Sequence, residues 1–112
     1  MTILLHPMRA TRDIPPAGIR RGDRMYHALS DLVGPDGERE LRDEALVCGL
    51  RLAWIQYPRT YREHFDVHGR TVDRFLARGA RLATNREIGE LLRAKRAAIG
   101  YSAVHDATDG VE

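Results

Sequence analysis

Met25-Tyr26-His27-Ala28-Leu29-Ser30-Asp31-Leu32-Val33, residues 25–33, is the stretch whose reading decides the fold. Its apolar content suits about two turns of helix, stopped by the break Gly34-Pro35-Asp36-Gly37. Upstream, Thr2-Ile3-Leu4-Leu5 reads as a buried first strand ended by Pro7. An irregular surface loop follows from Arg9 to Arg24, around Pro15-Pro16-Ala17-Gly18. Downstream, Leu41, Ala45 and Cys48 at i, i+4 and i+7 predict a helix over 38–48 that Gly49 stops. Leu52-Ala53-Trp54-Ile55 is rich enough in strand formers to be a second strand, with Trp54 in the core and a loop from Pro58 to Gly69.

Arg70 to Arg78 is helical, with Val72, Phe75 and Leu76 on one face and Arg70, Arg74 and Arg78 on roughly the opposite one. Ala80 to Thr84 is a third, weaker strand. Thr84 and Glu87 then form a capping box for a helix through Ala98, with Ile88, Leu91 and Leu92 inward. Strands alternating with helices predict an α/β domain over 1–100, a small parallel three-stranded sheet flanked by three to four helices. The polar tail, 101–112, is expected to fray. In such sheets the ligand site lies beyond the carboxyl ends of the strands, here residues 6–9, 57–68 and 84–86.

Hydrophobic residues at 43% and charged residues at 30% belong to a globular protein. A lone Cys48 excludes an internal disulfide and reads as a small buried hydrophobe. The first apolar run, Ile3 to Leu5, is far too short for a signal peptide or a membrane span, so a cytoplasmic protein is expected. Of 18 Lys and Arg residues only Lys95 is lysine, which points first to a GC-rich bacterial or phage genome. The clustering of Arg between Arg9 and Arg24, and again between Arg51 and Arg81, offers positive potential to a phosphate-bearing partner.

Met1-Thr2 with Met8-Arg9-Ala10, His27 with Asp31, Glu40-Leu41 running to Gly49-Leu50, Trp54-Ile55-Gln56, His64-Phe65-Asp66-Val67 and Gly79-Ala80 occur in a telling order. Across residues 1 to 96 the chain resembles a small bacterial and phage family classed as a domain of unknown function. Its members read M-T-V-Y-V-D-D-x-R, a His with Asp four later, E-L-x-x-x-A-x-x-x-G-(L/V), W-F-Q, H-Y-D-L and G-A. The resemblance implies no activity, but it singles out His27, Asp31, His64 and Asp66. His6-Pro7 stands where the family has an Asp-Asp pair, and His68-Gly69-Arg70-Thr71 replaces the family's Thr-Pro-Ser-Lys-Arg. This marks a diverged member.

Chemically, His27 and Asp31 four apart on a helix share a face, and His64 and Asp66 lie on a loop able to fold over it. An Asp that orients a His makes a general base, and two His with carboxylates can hold a divalent metal. Spacing alone assigns neither, and these four side chains serve equally as helix and loop bonding groups. No nucleophile elbow or phosphate-binding glycine loop is present, and no cofactor is named. Two functions therefore stand. One is a non-catalytic module that engages a host protein or nucleic acid through the Arg-rich loop that begins at Arg9 or through the helix face of Arg70, Arg74 and Arg78, the reading the sequence weakly favours. The other is a small enzyme or phosphate-binding domain with a concave His/Asp pocket and Arg9 or Arg70 for the anion. Exposed sheet edges also suit a homodimer.

Overall fold

The computed structural model describes the backbone of residues 2–111 and the side chains of residues 2–98. The expected fraying of 101–112 lies outside the described side chains. In chain order the elements are β1 (Ile3–Arg9), β2 (Arg24–Ser30), α1 (Pro35–Val47), β3 (Phe65–Val67), α2 (Arg70–Ala77), β4 (Arg81–Leu82) and α3 (Asn85–Val111). Two 3₁₀ turns lie at Pro15–Ala17 and Leu52–Trp54.

The class is α/β as expected, but the sheet is four-stranded and mixed, in the order β3-β2-β1-β4. Only β1 and β4 are parallel; β1–β2 and β2–β3 are antiparallel. The expected parallel three-stranded sheet fails because residues 24–30 are a strand, not a helix. β2 lies between two neighbours with both faces covered. Ala28 and Tyr26 pack with Leu5, Phe65 and Phe75 on one side, and Leu29 packs with Leu4, Ala83 and Ile88 on the other. With no wet face there is no polar–apolar alternation to mark a strand, and a short apolar run imitates a helix. An antiparallel partner also needs no helical crossover, so the loop of residues 10–23 suffices.

Three other corrections follow from pairing. Pro7 does not end β1. Leu5 turns its carbonyl toward the β4 side, where it accepts from the Ala83 N–H at 3.0 Å. Pro7, two residues on, turns its nitrogen to that same side, past the end of β4's pairing with Leu4 and Leu5, so no ladder bond is lost. Leu52-Ala53-Trp54 forms a 3₁₀ turn, not a second strand, with Trp54 half-buried against the core. The missing strand is β3, inside the stretch read as a loop.

α1 and α2 follow their sequence signals closely, while α3 runs to Val111, past the expected end at Ala98. Leu41, Ala45 and Cys48 are buried against one sheet face, joined by Val72 and Phe75 of α2. Leu76 is 42% exposed, off the expected buried stripe. α3 covers the opposite face with Ile88, Leu91 and Leu92. Its capping box is made in full: Glu87 N–H donates to Thr84 Oγ1 at 3.1 Å, and Thr84 N–H donates to Glu87 Oε1 at 3.2 Å. Among the described residues no helix is long and apolar enough to cross a membrane.

Candidate metal centre

Strand register builds the site. His6 pairs with His27 across β1 and β2, and His27 pairs with Asp66 across β2 and β3. Directly opposed residues share a face, so His6, His27 and Asp66 form one row across three strands. His64 lies two residues before Asp66 and therefore faces the same side. It is fixed there by an antiparallel bridge to Gln56, in which Gln56 N–H donates to the His64 carbonyl at 2.9 Å and His64 N–H to the Gln56 carbonyl at 3.2 Å. The intervening loop is anchored by buried Glu63, which accepts from Arg42 of α1 at 2.7 Å and from the Arg59 N–H at 2.8 Å.

His27 Nε2 lies 3.2 Å from Asp66 Oδ1, and His64 Nε2 lies 3.3 Å from the same oxygen. The two imidazole centroids are 3.8 Å apart with the rings tilted by 31°. One donor atom from each of the three residues falls within 4.8 Å of the others. Around an ion bonded at about 2.0 to 2.2 Å, adjacent donors stand about 3.0 to 3.4 Å apart. The two imidazole–carboxylate distances therefore fit a common cation.

The second nitrogen of His64 sharpens the point. His64 Nδ1 lies 2.6 Å from the Arg62 carbonyl, which can only accept, so Nδ1 carries the proton. In the neutral ring Nε2 then aims a lone pair at an oxygen that also only accepts. A proton or a metal ion between them resolves the clash, and a backbone carbonyl holding the far N–H is how metal-ligating His is usually oriented. At His27, burial lowers the imidazole pKa against the opposing hydrogen bond to Asp66, so this ring favours its neutral, ligating form. At Asp66, burial acts to raise the pKa, yet the hydrogen bonds and charges of His27 and His64 prevail and hold the carboxyl well below the usual carboxylate range.

Three of the four residues singled out by sequence thus come together, His27 on β2 rather than a helix, Asp66 on β3, and His64 in the bridge just before it. Asp31 does not join them. It lies just past β2, about 13 Å along the chain from His27 at strand rise, and its carboxylate accepts the Thr2 N–H at 2.9 Å. Of the Arg candidates, Arg9 lines the hollow beside the cluster, where it donates to the Gly22 carbonyl at 3.1 Å. Arg70 is exposed at the start of α2. Arg74 donates to the Cys48 carbonyl at 3.2 Å, and Arg78 is paired with Glu44 at 2.8 Å. Sequence reasoning missed His6, whose Nε2 lies 2.6 Å from Asn85 Oδ1 at the start of α3. It was legible as part of the first strand's carboxyl end, residues 6–9, and as the residue in an acidic position of the resembled family. Arg62 and Tyr57 were missed as a pair, the guanidinium carbon lying 4.2 Å from the ring centroid.

A larger cleft, about 400 Å³, lies elsewhere, between α1 and the end of α2. Three of its four acids are already engaged: Glu44 with Arg78, Asp36 with Arg39 and Glu40 with Ser30. No curated protein and no solved structure matches the chain. A family described as "Protein of unknown function (DUF4031)" matches residues 13–95, a span that contains His27, His64 and Asp66. The chain belongs to this DUF4031 family.

Proposed function

We propose that this protein is a small metal-dependent enzyme whose centre is a divalent transition-metal ion held by His27, His64 and Asp66. The observation that carries the reading is the aim of both Nε2 atoms at one Asp66 oxygen while His64 Nδ1 is held by a backbone carbonyl. Two imidazoles and a carboxylate suit Zn²⁺ and its first-row neighbours. Three protein donors leave a coordination position for water or substrate, which is the pattern of catalytic sites rather than structural ones. A metal there supplies Lewis acidity and an activated water.

Recognition of a host protein or nucleic acid through the Arg face of α2 draws less support. Arg74 and Arg78 already spend hydrogen bonds within the chain. The polar residues also gather in a concavity rather than dispersing.

Cobalt titration of chelator-treated protein tests the reading. Co²⁺ should give visible absorption bands of a low-coordinate nitrogen–oxygen site at one ion per chain, and Zn²⁺ should displace it. His64→Ala and Asp66→Asn should weaken binding at least about 100-fold, with Arg70→Ala unchanged. Saturation of wild type and His64→Ala at the same cobalt concentration would overturn it.

A further inference from the structure

The hollow beside the cluster is about 180 Å³ and contains His27, His64 and Asp66 in its lining. Its other charged lining residues are Arg9, Arg12 and Arg62, so Asp66 is its sole carboxylate. With a divalent ion in place, that lining carries a large excess of positive charge in a confined space, and only an anionic ligand balances it. Two of the three guanidinium groups are also restrained, those of Arg62 and Arg9. Arg62 lies over the Tyr57 ring, a cation–π contact that occupies its face and leaves its N–H edges available. Tyr57 has φ 51°, a left-handed backbone uncommon for a non-glycine residue, and Arg59 has φ 61°. Strain of this kind, in the loop that supplies Tyr57, Arg62 and His64, clusters at ligand sites. Arg9 spends one N–H on Gly22 and keeps the rest of its fork.

A second hollow, about 220 Å³, shares Met8, His27, His64 and Arg62 with the first and is otherwise walled by His6, Leu29, Ile88 and Leu92. An anion site thus adjoins a mostly apolar one.

We propose that the ligand of this centre is a phosphate monoester, its terminal phosphate bridging the metal ion and the Arg9, Arg12 and Arg62 guanidinium groups, with its organic group toward Leu29, Ile88 and Leu92. The proposal rests on the metal reading above. Planar guanidinium forks match phosphate oxygens two at a time, and a dianionic monoester best offsets the local charge. A hollow of about 180 Å³ has room for a terminal phosphate rather than for a continuous duplex.

The test is calorimetric titration of the cobalt- or zinc-loaded protein with AMP, adenosine, inorganic phosphate and a short oligonucleotide carrying either a 5′-phosphate or a 5′-hydroxyl. AMP should bind at least about tenfold more tightly than adenosine, and the 5′-phosphorylated oligonucleotide more tightly than its 5′-hydroxyl twin. Relative affinities of AMP and the phosphorylated oligonucleotide tell a free nucleotide from a nucleic-acid end. Arg62→Gln and Arg12→Gln should each weaken AMP binding about tenfold while the cobalt spectrum stays unchanged. Equal affinity for AMP and adenosine with a normal cobalt spectrum would overturn the proposal and leave the metal centre standing. AMP binding that is unaltered when the metal is removed would overturn the bridging geometry. Absence of the cobalt spectrum would remove the metal reading and the proposal together.

Discussion

His27 and His64 both approach one carboxylate oxygen of Asp66, and it is at His27 that burial governs titration. Burial, the largest influence at His27, lowers its pKa below 6.5 in the folded protein. As pH falls through 6.5 the unfolded chain takes up this proton before the folded one does, so folding stability declines. The decline is complete once pH passes below the folded value. Thermal melts of metal-free protein should therefore lose midpoint as pH drops from about 7 to about 5. His27→Gln should make that slope shallower, and an unchanged slope would mean the burial at His27 has no energetic consequence. Asp66 acts in the opposite pH region: its lowered pKa contributes stability above the ordinary value of 3.8, lost as pH falls through the depressed folded value. A bound metal needs neutral imidazoles, so its affinity should also fall with acid.

Two elements have separable energetic signatures, one in the core and one beside the site. α2 buries Phe75 completely while Leu76 is 42% exposed, although the two are neighbours in an apolar run. Phe75→Ala should cost about 3 to 5 kcal/mol from lost burial and a cavity. Leu76→Ala should stay within about 0.5 kcal/mol. Denaturant melts read both, and similar losses would place the helix in the wrong rotation. The loop before β3 is tethered to α1 by Arg42 on buried Glu63. Arg42→Ala leaves that carboxylate without its cation and loosens the segment that aims His64. Its metal affinity, read by cobalt titration, should fall about 10- to 100-fold although no ligand is changed. An unaltered affinity would show that β3 alone holds His64.

At the scale of the whole molecule, an ion at the proposed centre would join three positions brought together only by folding. An ion that binds the native state alone should then stabilise by mass action, about 2.7 kcal/mol at 100 times the dissociation constant. For a domain of this size that is about 10 °C in melting temperature. Scanning calorimetry with and without Zn²⁺ should show the rise in wild type and its loss in Asp66→Asn; an equal rise in both would assign the ion to another site. Sequence by itself determined the α/β class, the positions of α1 and α2, the α3 capping box and the family resemblance, because helical periodicity and capping are local properties of consecutive residues; the same reasoning also put a helix over 25–33 where β2 stands. It also singled out His27, His64 and Asp66, as residue types suited to shared chemistry. Tertiary structure alone decided that residues 24–30 are a strand, since a strand buried on both faces has no alternation, and that 65–67 are one, since the alternation of Phe65-Asp66-Val67 is too short to signal a strand without its remote partner β2. Cross-strand register then decided membership of the site. It put His27 opposite Asp66 and His6 opposite His27 and left Asp31 on the Thr2 backbone, because neighbours across a sheet are set by pairing and not by spacing along the chain.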